Sequence, residues 1–369
     1  ANIADHDGYT PLMIAARYGR DSSIRELAAA SPNFALVNSE DLTALMLAAY
    51  NGHDQCIHEL LAAGAGIETA NQYGWNALMI GASENQVSSI RALLDAGADI
   101  NKANLVDWTP LIIACSVGSV SSVRVLLAAG ADAYAADDGG RNALMIAVRE
   151  GQNECVSALL EHGVDVDVCS HGGDGAGGWT ALNFACYRGR DEIVRMLLEK
   201  NANAETGRSA DGENGSLIIA AQEGHGECVR LLAKANASVN VFDARKITVL
   251  MWACLRGCTV AVRALLEANA DTAAVDWRGW TALTSAAAGK NVECVWLLLE
   301  KGVVVDVADN NGMTALMISA DRGCIPCIRE LLKAGASRHA VNKNGMNALM
   351  CAIINDHHEA GAVLSGIAE

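Results

Sequence analysis

The run Asn311-Gly312-Met313-Thr314-Ala315-Leu316-Met317-Ile318-Ser319-Ala320-Asp321-Arg322-Gly323 decides the fold. Asn-Gly makes a tight turn, because both residues tolerate the backbone that such turns need. Thr314 follows as a helix N-cap, its hydroxyl placed to accept a free backbone N–H of the first turn. Leu316 points into whatever this helix packs on. Gly323 ends the helix, since glycine enters the left-handed conformation at little cost. A second helix is predicted from Ile325 to Lys333, with Ile328, Leu331 and Leu332 on one face and Gly335 as its stop. Residues 336–341 then lead outward to the next turn.

The pattern recurs. Leu12, Leu45, Leu78, Leu111, Leu144, Leu182, Leu217, Leu250, Leu283, Leu316 and Leu349 mark it, every step being 33 residues except 38 before Leu182 and 35 before Leu217. A fixed period of this length signals a solenoid, in which each repeat buries its apolar face against its neighbours. The N-cap column reads Thr10, Thr43, Asn76, Thr109, Asn142, Thr180, Gly215, Thr248, Thr281, Thr314 and Asn347. Pro11 and Pro110 take the first helical position, where proline is favoured. The second stop column reads Gly64, Gly97, Gly130, Gly163, Asn201, Asn236, Asn269, Gly302 and Gly335, all types that adopt a left-handed C-cap. The expectation is an all-α solenoid of eleven helix–turn–helix repeats with finger loops, one domain over 1–369. The long steps predict a glycine-rich finger insertion at 169–178 and a second lengthened finger at 206–214.

Composition narrows the function. The 369 residues carry a net charge of −16 and only 4% aromatics. That charge argues against broad contact with a phosphate backbone, so no nucleic acid partner is expected. No apolar run reaches the roughly 18–20 residues of a membrane span, so no membrane partner is expected either. Cys56, Cys155, Cys228, Cys294 and Cys327 all lie eleven residues after their leucine, and Cys115, Cys186 and Cys254 lie four after it. These are small-residue positions. The twelve cysteines therefore read as buried free thiols in a reducing, cytoplasmic setting. The chain starts at Ala1 and residues 1–8 match the tail of a repeat, so either end is expected to continue.

Asp7-Gly8-Tyr9-Thr10-Pro11-Leu12 and Gly97-Ala98-Asp99-Ile100-Asn101 resemble the ankyrin repeat, with its turn, two antiparallel helices and outward finger. The resemblance covers essentially the whole chain. One departure is systematic. Where the family has Thr-Pro-Leu-His, this chain mostly has Thr/Asn-Ala-Leu-Met, with Met46, Met79, Met145, Met317 and Met350. The family's histidine bridges repeats by hydrogen bonds, and its loss puts that bridge in doubt. The resemblance implies protein–protein recognition through a concave finger and first-helix face, as a scaffold or adaptor, without catalysis or cofactor and as a monomer. The alternative is an ankyrin segment of a larger enzyme or channel whose activity lies outside this chain.

Three motifs could carry chemistry. Gly173-Asp174-Gly175-Ala176-Gly177-Gly178 fits Gly-x-Gly-x-x-Gly, but a dinucleotide site needs it within a parallel βαβ unit. Between two intact repeats it reads as an enlarged, flexible finger. Cys324-Ile325-Pro326-Cys327 and the Cys254/Cys258 pair lack the further ligands of a zinc site. The histidines, including His53, His225, His357 and His358, form no triad. Asp137, Asp138, Asp165 and Asp167 read as solubilising finger residues.

The candidate site is a column between the turn glycine and the N-cap: Tyr9, Leu42, Trp75, Trp108, Arg141, Trp179, Asn214, Ile247, Trp280, Met313 and Met346. It varies while its neighbours do not, and Trp and Tyr are the types most enriched at binding hot spots. A second variable column on the first helix holds Tyr18, Tyr50, Ser83, Val117, Arg149, Tyr187, Arg188, Arg256 and Arg322. The expected partner-binding set is Tyr9, Tyr18, Tyr50, Trp75, Trp108, Arg141, Trp179, Tyr187, Arg188 and Trp280, densest from the first repeat to the sixth. The competing reading is that the rings pack on adjacent fingers. Trp252 is expected in the core and Trp296 on the outer helix. Arg25, Arg91, Arg124, Arg195, Arg230, Arg263 and Arg329 form a ladder on the second helices, read as a salt-bridged face before an anionic-partner strip.

Overall fold

A computed structural model describes residues 2–171, 178–207 and 215–366. The chain divides into two compact units, Ala1–Ala181 and Leu182–Glu369. The first contains α1 (Pro11–Arg17), α2 (Asp21–Ala28), α3 (Ala44–Tyr50), α4 (Asp54–Ala62), α5 (Ala77–Ser83), α6 (Val87–Asp95), α7 (Pro110–Val117), α8 (Val120–Ala128), α9 (Ala143–Glu150) and α10 (Asn153–His162). The boundary falls at the start of α11 (Ala181–Arg188). The second unit continues with α12 (Asp191–Glu199), α13 (Ser216–Glu223), α14 (Gly226–Lys234), α15 (Val249–Arg256), α16 (Thr259–Glu267), α17 (Ala282–Ala288), α18 (Val292–Glu300), α19 (Ala315–Asp321), α20 (Ile325–Lys333), α21 (Ala348–Ile354) and α22 (His358–Ser365). The described residues form no strand, only the isolated bridges Ala136 to Asn142 and Phe242 to Thr248.

Each of the repeat leucines is the second residue of an odd-numbered helix, and all but the half-buried Leu349 are buried. Within the first unit α1, α3, α5, α7 and α9 stack in one layer and α2, α4, α6, α8 and α10 in another. In the second unit α13, α15, α17, α19 and α21 form one layer, and α12, α14, α16, α18, α20 and α22 the other. This is the helix–turn–helix solenoid that the period predicts.

The caps act as the sequence implies. Thr10, Thr43, Asn76, Thr109, Asn142, Thr248, Thr281, Thr314 and Asn347 each accept the backbone N–H three residues on. Of the methionines that replace the family's histidine, Met46, Met79, Met145 and Met317 are core residues, whereas Met350 is 47% exposed. Met13, Met46, Met79, Met145, Met251 and Met317 are buried, and the Sδ atoms of Met13, Met46 and Met251 accept the N-cap backbone N–H at 3.4 Å.

The polar bridge between repeats moves to another column, eight residues after the leucine. In the first unit His53 donates to Arg17 O (3.1 Å), Gln86 to Tyr50 O (3.1 Å), Ser119 to Ser83 O (2.7 Å) and Gln152 to Ser116 O (3.2 Å). In the second unit His225 donates to Tyr187 O, Asn291 to Leu255 O and His357 to Asp321 O. Each bond satisfies a carbonyl that a helix end leaves free.

Among the described residues, six fingers are built on one buried side chain at the turn, and Asn71 and Asp309 hold the same position half-buried. Asn38, Asn104, Asp137, Asp243, Asp276 and Asn342 are buried, and each Oδ1 accepts the N–H groups two and four residues on. Asp137 therefore organises its turn and does not solubilise the finger, a correction that follows from its burial. Successive fingers lie backbone to backbone. A Cβ at Gly140, whose φ is +70°, would stand 2.2 Å from His171 N.

Candidate binding face

The turn bond to the fourth residue lands on the column of candidate side chains. Trp75 N and Trp108 N donate to Asn71 and Asn104 Oδ1 at 2.9 and 2.8 Å. Pinning that backbone at the finger base leaves both indoles half-buried. Trp179 is half-buried as well, its N–H on Ser170 Oγ at 3.2 Å. Ser170 also accepts the Gly178 N–H through its carbonyl at 2.8 Å, so one residue closes both ends of the insertion. Residues 172–177, which hold most of the Gly-x-Gly-x-x-Gly run, lie outside the described residues, as do 208–214 of the second lengthened finger.

Tyr9 departs from the expectation of an open fingertip. It is 8% exposed. Its hydroxyl donates to Glu40 Oε2 (3.2 Å) and accepts from Arg17 Nη1 (2.8 Å), and Arg17 lies over the ring at 5.2 Å. Burial, and then the hydrogen bond to Glu40, push the phenol above its ordinary pKa. Tyr9 is thus a packing residue between fingers. Arg141 is likewise engaged, its Nη2 2.9 Å from Asp137 Oδ2, because the buried carboxylate needs a counter-charge.

The first-helix column is the open one. Tyr18 is 62% exposed, and Tyr50, Tyr187 and Arg188 are exposed too, with Arg188 over the Tyr187 ring at 5.7 Å. The structure adds residues that the sequence reading missed. Tyr73 and Leu105 are 62% and 75% exposed, and Val106 stands beside them. Leu105 N donates to Tyr73 O at 3.4 Å, so these tips are neighbours. In the second unit Trp277 is 59% exposed. All four are central residues of an Asx-led turn, where side chains point away from the finger. An apolar residue at such a polar turn position was the available signal.

Trp280 is half-buried under Arg278, whose guanidinium lies 3.8 Å from the ring centroid, and its Nε1 donates to Asp309 Oδ2 at 3.1 Å. Trp252 corrects the expectation of a core residue. It is half-buried, with Arg245 and Arg256 over its ring at 5.8 and 6.0 Å and its Nε1 on Asp243 Oδ2 at 3.2 Å. The finger carboxylate captures the indole edge and draws the ring out of the stack. Trp296 is exposed on α18 under Arg263, as its position predicts.

The arginine ladder is mostly paired. Arg124 meets Glu161 at 2.7 Å, Arg195 meets Glu192 at 3.5 Å, Arg263 meets Glu293 at 3.6 Å, and Arg25 and Arg230 hold Glu59 and Glu227. Exposed pairs of this kind add little stability, about 0–1 kcal/mol each, but they occupy the charge.

The cysteines are free, and ten of the twelve are buried. Burial pushes Cys56 and Cys155 up to about 11, so both are neutral thiols at physiological pH. The repeat brings thiols together across layers: Cys186 with Cys228, and Cys254 with Cys294. Among the described residues no three His, Cys, Asp or Glu side chains are grouped to hold a metal ion.

Stacked helix pairs with ordered fingers and exposed tips define a repeat solenoid whose useful surface is broad rather than enclosed. The family description "Ankyrin repeats (3 copies)" matches residues 12–104, 101–170, 169–243, 217–309 and 302–367. The chain belongs to the ankyrin repeat family. It is similar to "Ankyrin repeat, SAM and basic leucine zipper domain-containing protein 1" of Homo sapiens, 38% identical over 88 residues, and to the protein of that name from Papio anubis, 36% identical over 88 residues. Each match spans 22% of this chain and 18% of the relative. Ankyrin repeats are generally protein-interaction modules, and the family is typically non-enzymatic. Among the described residues no helix is long and apolar enough to cross a membrane.

Proposed function

We propose that this chain is a protein-recognition module, a scaffold or adaptor that binds its partner through the fingers and first helices. The observation that carries this reading is the row of exposed Tyr73, Leu105 and Val106, held at the turn tips by Asn71 and Asn104, with Tyr18 and Tyr50 exposed on the first helices. Large apolar side chains fixed in water are the material of interface hot spots. In the first unit Trp75, Trp108 and Trp179 are the finger-column residues of that face, and in the second unit Tyr187, Arg188 and Trp280 are contact residues in their own right. Tyr9 and Arg141 serve by holding their fingers in place.

The protein works as a monomer that engages its partner, without catalysis. Its free thiols support a reducing compartment, the cytoplasm. A second reading, the ankyrin segment of a larger protein, draws support from relatives whose name joins ankyrin repeats to SAM and basic leucine zipper domains. The test is capture of a cellular protein by wild type, Tyr50→Ala and Leu105→Asp. Both variants lose capture at unchanged melting temperature if the reading holds. Undiminished capture by both would refute it.

A further inference from the structure

The second unit carries a surface of different chemistry, built twice over on adjacent fingers. Asp243 accepts the backbone N–H of Arg245 (2.9 Å) and the indole Nε1 of Trp252 (3.2 Å). Asp276, one repeat on, accepts the backbone N–H of Arg278 (2.8 Å) and its Nε (2.9 Å). Arg245 lies over Trp252, and Arg278 lies over Trp277 at 5.7 Å and over Trp280 at 3.8 Å. The two fingers are stitched by Trp277 N donating to Arg245 O at 3.1 Å. Arg256, from α15, is exposed and leans on Trp252 as well. Six side chains, three arginines and three tryptophans, thus form one continuous patch.

We infer that this patch, Arg245, Trp252, Arg256, Trp277, Arg278 and Trp280, receives a carboxylate-rich segment of the partner protein. The inference rests on the recognition reading above and names the partner's chemistry. A guanidinium stacked on an indole uses its face for the ring and keeps its N–H edge for a bidentate carboxylate. Holding it there in the free protein removes much of the ordering cost of binding. The three arginines are not equally engaged at home. Asp276 pairs Arg278 at 2.8 Å, whereas Arg245 is 3.8 Å from Asp243 and 60% exposed. Arg245 and Arg256 are therefore the groups that bind, and Trp277 offers the flat surface beside them. The chain's net charge of −16 repels a long phosphate backbone, while a short acidic peptide meets the patch alone.

The test uses the full chain and labelled peptides read by fluorescence anisotropy. The probes are repeated Glu-Glu-Phe units, a Lys-Lys-Phe peptide of equal length, and single-stranded oligothymidylate of equal charge. The expected result is a preference of about tenfold or more for Glu-Glu-Phe over both others, weakening as salt rises. Arg245→Glu combined with Arg256→Glu abolishes that binding, and Arg256→Gln, which touches no paired carboxylate, weakens it several-fold with unchanged helical dichroism. Equal binding of all probes, tighter binding of oligothymidylate, or wild-type affinity in a folded Arg256→Gln protein would each overturn the inference. Leu105→Asp separates the two claims. If it loses cellular capture while the acidic probe never binds, the recognition reading stands and this one falls. If no variant alters capture, both fall.

Discussion

Tyr9 and Trp252 show how one polar partner sets the fate of an aromatic ring. Glu40 and Arg17 take both sides of the Tyr9 hydroxyl and the ring is buried, whereas Asp243 takes the Trp252 indole N–H and the ring stays half out. Tyr9→Phe should therefore cost about 0.5–1.5 kcal/mol of stability, the worth of a typical hydrogen bond, measurable as a lower urea midpoint. The thiols give a pH dependence. Cys56 and Cys155 titrate from an ordinary 9.0 up to about 11 in the folded protein, so the folded chain keeps protons that the unfolded chain releases. Stability is full below pH 9 and falls as pH rises from 9 towards 11. Melting temperatures at pH 8 and pH 10.5 should differ in that direction, and Cys56→Ala combined with Cys155→Ala should flatten the dependence. Gly140→Ala places a Cβ against His171 N in a left-handed backbone and should cost about 1–3 kcal/mol, read by the same denaturation.

At the scale of an element, the cap and the Asx-led turn do the specifying. Thr248 accepts the Met251 N–H at 3.2 Å, and Thr248→Ala should lower stability by about 1 kcal/mol. Asp276→Ala strands the buried N–H groups of Arg278 and Trp280 and releases a paired arginine. Its cost should exceed that of the cap, about 2–4 kcal/mol, while Asp276→Asn, which keeps one acceptor, should recover part of it. The helices, their caps and their stops were legible in the sequence because each depends on residues a few positions apart. The side-chain directions in the fingers were not. The turn residues Tyr73 and Leu105 and the column residues Trp75 and Trp108 lie two to three positions apart, yet the first two point out and the others pack down. Asn71 holds the N–H of both Tyr73 and Trp75, so the sorting follows from packing against the neighbouring finger, which a repeat column does not display. The arginine ladder was legible, since Glu192 and Glu227 lie three residues before their arginines, although the partners Glu59 and Glu161 come from the next repeat.

Over the whole molecule, stability in a stack is close to a sum of repeat and neighbour terms, so the exposed fingers are free to vary in chemistry without disturbing the layers beneath. The chain uses that freedom differently in its two units. The first presents Tyr18, Tyr50, Tyr73, Leu105 and Val106. The second presents arginine stacked on tryptophan. The central claim is that recognition belongs to the fingers and first helices rather than to the second-helix ladder. The most direct measurement is partner capture by three folded full-length proteins: wild type, Leu105→Asp, and Arg124→Glu on the ladder. The account predicts that Leu105→Asp loses the partner and Arg124→Glu keeps it at wild-type yield. Loss of the partner by Arg124→Glu with full capture by Leu105→Asp would contradict it.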